Sequence, residues 1–164
     1  MRYLFGASSG TVVAGGNGQG SANTQLNFPI GLHFDSSSNS LFIANSVGHN
    51  ILRWVIGASS WTLVAGSNSG IPGSTSTLLN QPQDVVLDST GNVYVADGYN
   101  NRIQFFLAGH FNGTTIAGTG IASTSDTGLY LPVSIAIDAQ LNLYVSDYQN
   151  LRVQQYQRYD SVTF

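Results

Sequence analysis

Three prolines, Pro29, Pro82 and Pro132, each open a copy of one pattern, and their spacing of 53 and then 50 residues leaves little freedom in what the chain can fold into. The copies begin PIGLHFD, PQDVVLD and PVSIAID, closing at Asp35, Asp88 and Asp138. A second element follows each one: SLFIAN from Ser40, NVYVAD from Asn92 and NLYVSD from Asn142. A third runs from Asn50, Arg102 or Arg152, and a fourth recurs as TVVAG from Thr11, TLVAG from Thr62 and TTIAG from Thr114. Each element is short, rich in Val, Ile, Leu, Phe and Tyr, bounded by Gly, Asn, Asp or Ser, and free of helical periodicity. These properties predict strands, with tight hairpin turns at Ser89–Asn92 and Ala139–Asn142. Four short antiparallel strands cannot cover their own apolar faces, so the units must stack radially as the blades of a propeller.

The succession Pro82 to Asp88, then GNVYVAD, then NNRIQ, then a T-x-x-A-G strand resembles the NHL-repeat family. The likeness covers about residues 1 to 156, and the copy from Pro82 to Gly118 carries it best. It implies an all-β propeller of which six blades are typical. On that reading the chain is a propeller segment over 1–156, with repeats at about 26–66, 79–118 and 129–156, amino-terminal strands within 2–15, and a tail at 157–164. MRYLFGASSGTVVAG matches RWVIGASSWTLVAG from Arg53 to Gly66, so the first residues read as a third and a fourth strand. The strands total about three blades, half of a six-bladed ring. An open arc would expose two apolar blade faces and its strand edges. The expected remedy is a homodimer closing a six-bladed ring, or further blades of a longer chain.

Composition narrows the partners. Charged residues make up 8 % of the 164 positions; there is no Lys and no Glu, and five Arg face eight Asp for a net charge of -3. Such a chain offers no phosphate-binding stripe, which argues against nucleic acid and acidic membranes. The absence of Cys excludes thiol chemistry, and neither a signal peptide nor a transmembrane segment is legible. Asn112-Gly113-Thr114 fits the glycosylation triplet, a match that chance supplies readily in so Asn- and Thr-rich a chain.

Candidate binding residues fall in the connections between second and third strands, which share one rim: His49 in the first copy, Tyr99 and Asn100 in the second, Tyr148, Gln149 and Asn150 in the third. A ring can stack while amides hydrogen-bond, which suits a small polar ligand or a partner protein. Flanking them is a recurring pair five residues apart: Asp97 with Arg102, Asp147 with Arg152, and in the first copy Asn45 with Asn50. Both charges vanish together there, so the pair reads as a structural fastener whose members touch.

Catalytic readings are weaker. His33, His49 and His110 occupy non-equivalent places, so they cannot converge as metal ligands on an axis, and no metal or cofactor is expected. His33 is expected between blades with one hydrogen bond. NHL-like lyases carry zinc-binding His just after the opening Pro, where this chain has Ile30, Gln83 and Val133. Asp35, Asp88 and Asp138 are one per copy without a second acid, so they read as acceptors for the turn that follows rather than calcium ligands. No G-x-S-x-G elbow occurs, and the glycine run from Gly15 to Gly20 leads into a strand rather than a helix. The expectation is a non-enzymatic binding or scaffolding module; the alternatives are a lyase or hydrolase on the same fold, or a piece of a larger NHL-repeat protein.

Overall fold

The computed structural model describes residues 9–157. It contains eleven strands in three antiparallel sheets. The first sheet is β1 (Pro29–Asp35), β2 (Ser40–Asn45), β3 (Asn50–Val55) and β4 (Thr62–Gly66), paired in chain order. The second repeats it with β5 (Asp84–Leu87), β6 (Val93–Asp97), β7 (Arg102–Phe106) and β8 (Gly113–Gly118). The third stops at β9 (Pro132–Ile137), β10 (Leu143–Asp147) and β11 (Arg152–Tyr156).

One expectation is corrected. Thr11 to Gly15, predicted as a fourth strand, forms no strand here, because no neighbour offers it a ladder among the described residues. The remainder of the predicted amino-terminal pair, residues 2–8, lies outside the described residues, as does the tail beyond 157. β11 therefore keeps one edge without a partner strand among the described residues.

The blades bury each other's faces. Phe42, Ala44 and Ile51 of the first meet Val85, Val95 and Phe106 of the second, with Leu79 of the connecting loop plugged between them. The same layer repeats one blade on: Tyr94, Ala96 and Ile103 meet Ile135, Leu143 and Val145, with Leu129 as the plug. A middle strand is thus covered on both sides, which is why VYVAD is buried at all five positions and reads as a continuous apolar run. On its other face the first blade packs Ile43, Leu52, Trp54 and Trp61 together, with Ala14 and Leu26 against them.

The glycine that closes each T-x-x-A-G strand has a steric cause. Gly66 and Gly118 hold φ of 84° and 78°, and a Cβ on either would lie 2.4 Å from a backbone carbonyl oxygen, that of His49 or Asn101. Only glycine fits where the fourth strand leaves the sheet beside the turn that carries the candidate site.

Candidate functional site

Second and third strands are joined by three-residue 3-10 turns, Ser46–Gly48, Gly98–Asn100 and Tyr148–Asn150, each followed by one residue in the left-handed region. Those residues are His49, Asn101 and Leu151, with φ of 55°, 50° and 55°. The repeated backbone bond from their N–H to the first turn residue's carbonyl (3.0, 3.0 and 3.1 Å) closes the turn.

What holds the second and third of these turns is the acid that ends the second strand. Asp97 Oδ2 accepts from Arg102 Nε at 2.8 Å and from Asn100 Nδ2 at 2.8 Å, while its Oδ1 accepts the Asn80 N–H at 2.7 Å. The remaining guanidinium nitrogens donate to the carbonyls of Ser74, Thr75 and Leu78, at 2.8, 3.0 and 3.1 Å. Asn100 also reaches the Gly73 carbonyl, at 2.8 Å. One carboxylate thereby fastens the turn to the long loop that leads into its own blade. The third blade copies the arrangement: Asp147 takes Tyr130 N–H, Asn150 and Arg152, and Arg152 grips the carbonyls of Thr124, Ser125 and Gly128.

The first blade does this without charge. Asn45 Nδ2 donates to Asn50 Oδ1 at 2.9 Å, Asn45 Oδ1 accepts the Asn27 N–H at 2.6 Å, and Asn50 Nδ2 donates to the Ser67 carbonyl at 2.6 Å. Gly48 stands where Asn100 and Asn150 stand, and a Cβ there would fall 2.0 Å from Asn45 Nδ2. Three positions have changed as a set. The sequence reading saw two of them and missed the third, whose signal was the alignment of Gly48 with Asn100 and Asn150.

The two acids differ electrostatically. Desolvation pushes the Asp97 carboxyl above its ordinary range, against the hydrogen bonds from Asn80, Asn100 and Arg102. Asp147 is equally out of solvent, though its Arg152 partner is more exposed; burial raises it too, but bonds from Tyr130, Asn150, Arg152 and Gln154 outweigh that and hold it below. Asp35, Asp88 and Asp138 each accept N–H groups of the hairpin turn that follows, from Ser37, from Thr90 and Asn92, and from Gln140 and Asn142.

The candidate residues divide into fastened and free. Asn100 is buried and spends its amide nitrogen on Asp97 and Gly73. Asn150 is half-buried and bound likewise to Asp147 and the Ser123 carbonyl. His49 is 9 % exposed, and its Nδ1 accepts the Gln81 N–H at 3.1 Å across the seam between the first and second blades. Asn101 Oδ1 does the same for Leu131 N–H at the next seam, at 2.9 Å. Tyr99, Tyr148 and Gln149 are exposed, the tyrosines at 54 % and 55 %. Counted from the fastening acid, Tyr99 and Gln149 hold the same position in adjacent blades, with Val47 before them. Tyr148 instead matches Gly98, where a Cβ would meet Gln83 Cγ at 2.6 Å and the Pro132 carbonyl at 3.2 Å.

The histidines stay apart: His33 is half-buried on β1 and, contrary to expectation, its side chain makes no hydrogen bond among the described residues, and His110 is exposed beyond β7. Among the described residues no group of three or more His, Cys, Asp or Glu is placed to hold a metal ion. No helix among the described residues is long and apolar enough to cross a membrane.

Radially stacked antiparallel blades with a fastened rim define a propeller-type repeat protein. Within it, residues 79–106 match the NHL repeat. No curated protein matches the chain in sequence. Among solved structures it is similar to a structural genomics protein of unknown function from Bacteroides thetaiotaomicron VPI-5482 (TM-score 0.67, 16% identity, covering 79% of this chain and 34% of that one). An auxiliary nutrient binding protein from the same organism is also similar (TM-score 0.63, 20% identity, 76% and 36%). So is a virginiamycin B lyase from Staphylococcus aureus (TM-score 0.51, 10% identity, 81% and 42%). The chain spans roughly a third to two fifths of the length of these structures, and at such identities the likeness is one of fold.

Proposed function

We propose that the chain is a non-enzymatic binding and scaffolding module that recognises a small polar ligand or a partner protein on the 3-10 rim, through Tyr99, Tyr148 and Gln149. The observation that carries this reading is the exposure of Tyr99 in a turn whose other polar groups are fastened. A ring held on a rigid turn presents contact area at little entropic cost. The same fold occurs in a protein described as nutrient binding and in a lyase, so the fold does not choose between binding and catalysis. The side chains favour binding, because the candidate polar groups that could serve chemistry, on Asn100, Asn150 and His49, are committed to the frame. A glycan and peptide array probed with the wild type and with Tyr99→Ala/Tyr148→Ala tests the reading. Binding that survives the double substitution moves the site elsewhere.

In the same proposal the ring is completed by self-association. Leu32 is 64% exposed where the equivalent Val85 and Ile135 are 0% and 5% exposed. At the other end Val153 is 71% exposed where Ile51 and Ile103 are at 0%. Both faces have the composition of a blade seam, and a second copy offers one of each. Light scattering decides: a mass of twice 17.4 kDa supports the two-by-three ring, and a stable 17.4 kDa species removes it.

A further inference from the structure

The seam between the first and second blades holds a cleft. It measures about 220 Å³ and opens on the edge away from the 3-10 turns, between β3–β4 and the Leu107–Asn112 loop. Its origin is one cross-strand position. Phe42 pairs with Arg53 in the first blade, Tyr94 with Phe105 in the second, and Tyr144 with Gln155 in the third. In the second blade the two rings meet edge to face with centroids 5.0 Å apart. In the third, Gln155 Nε2 donates to the Tyr144 hydroxyl at 3.1 Å. The first blade puts a guanidinium where these blades put a ring or an amide.

Arg53 is unlike the other described arginines. The ion pairs among the described residues are Arg102 with Asp97 and Arg152 with Asp147, so Arg53 has no carboxylate partner. Its Nε donates to Ser40 Oγ at 3.0 Å, which orients the group and leaves the two terminal nitrogens uncommitted among the described residues. The walls around it are apolar, with Phe42, Val64 and Phe106 inside, and Phe111, 55 % exposed, stands at the mouth beside His110. A half-buried cation with a free bidentate edge, set in aromatic walls, has a complement of definite chemistry.

We propose that this cleft binds a small monocarboxylate carrying an aromatic or branched apolar body, with the carboxylate on the Arg53 terminal nitrogens and the body against Phe42, Phe106 and Phe111. The volume suits a ring with a short acid arm. A free phosphate would bring two charges to one guanidinium and nothing to fill the apolar walls, and acetate would leave those walls wet. The site is separate from the rim, so its success or failure does not bear on the reading above.

Phenylacetate is the probe, titrated into the full chain with detection by ligand saturation-transfer NMR and by amide shifts. For ten non-hydrogen atoms the expected Kd is on the order of 1 mM. Shifts should concentrate on Val64, Gly109, His110 and Phe111, while 2-phenylethanol and acetate, each lacking half of the recognition, bind at least about tenfold more weakly. Arg53→Phe, which sets a ring opposite Phe42 much as Phe105 faces Tyr94 in the second blade, should abolish saturable binding without lowering Tm. Phe111→Ala, on an exposed loop, should weaken binding severalfold in a folded protein. Equal affinity for 2-phenylethanol, unchanged binding in Arg53→Phe, or shifts confined to the Tyr99 rim would each overturn the proposal, as would the absence of saturation by 20-fold above the expected Kd.

Discussion

Arg102 Nε sits 2.8 Å from Asp97 Oδ2 with both side chains out of solvent, and the same guanidinium closes on three carbonyls of the loop from Ser74 to Leu78. The pair is one knot in a larger tie between a turn and the loop that delivers its blade.

Removing one side of that tie should cost far more than removing both. Arg102→Ala leaves a buried carboxylate without its cation and three carbonyls without donors, an expected loss of about 3 to 5 kcal/mol. Asp97→Asn with Asn100→Gly and Arg102→Asn rebuilds the neutral set of the first blade, whose Asn45 and Asn50 bond at 2.9 Å beside Gly48. Urea denaturation should show the triple variant markedly more stable than the sum of the singles.

Seam bonds respond to a different change. His49 Nδ1 accepts from Gln81 N–H just as Asn101 Oδ1 accepts from Leu131 N–H, so His49→Asn should be close to neutral. His49→Leu leaves the buried N–H unmatched in a left-handed residue and should cost about 1 to 3 kcal/mol. Thermal melts of the two variants side by side check this.

Acidity should act through two windows. Burial lowers the His49 pKa below 6.5, so its contribution is present above that value and is lost as pH falls through the folded pKa. His49→Asn should flatten this part of the profile. Asp35 is held at about 2, chiefly by the Ser38 and Ser37 hydroxyls, and Asp138 is lowered by Asn142. Their contribution is complete above 3.8 and falls away as pH drops toward about 2. A Tm that is level from pH 4 to pH 2 would contradict this assignment.

Gly118→Ala should be among the more damaging single-methyl additions, since its φ of 78° and a Cβ 2.4 Å from the Asn101 carbonyl conspire. The expected loss is about 2 kcal/mol or more. Gly57→Ala is the control: it has φ of 93° but open space around it, and it should lose only the backbone part.

Leu32→Asp isolates the end face. Leu32 is already 64% exposed in one chain, so Tm at low concentration should barely move, while the dimer mass expected for the self-associated ring should fall to that of one chain. A dimer that tolerates this charge would place its contact elsewhere.

Much of this architecture could be read from the chain because propeller blades write themselves with a long period: Pro29, Pro82 and Pro132 mark first strands, and every second and third strand falls beside them. Thr11 to Gly15 shows the limit. Its letters are those of β4 and β8, yet a strand exists only where a neighbour supplies a ladder, and spelling says nothing about neighbours. The rim was harder. Asn100 and Asn150 looked like ligand-facing amides, and only the positions of the Gly73 and Ser123 carbonyls, both 27 residues away in sequence, reveal them as fastened. Tyr148 shares a residue type with Tyr99 but a turn position with Gly98, a distinction that depends on counting from Asp147. The Arg53 cleft required knowing what its cross-strand partner faces.

The residues before two of the opening prolines carry a directional message. Gln81 and Leu131 sit in the left-handed region, with φ of 46° and 52°, and each N–H is held by a side chain of the blade before it. At these two seams a blade's entry is thus held by a side chain of its predecessor. The order in which these blades leave a ribosome is therefore also the order in which each finds its template waiting.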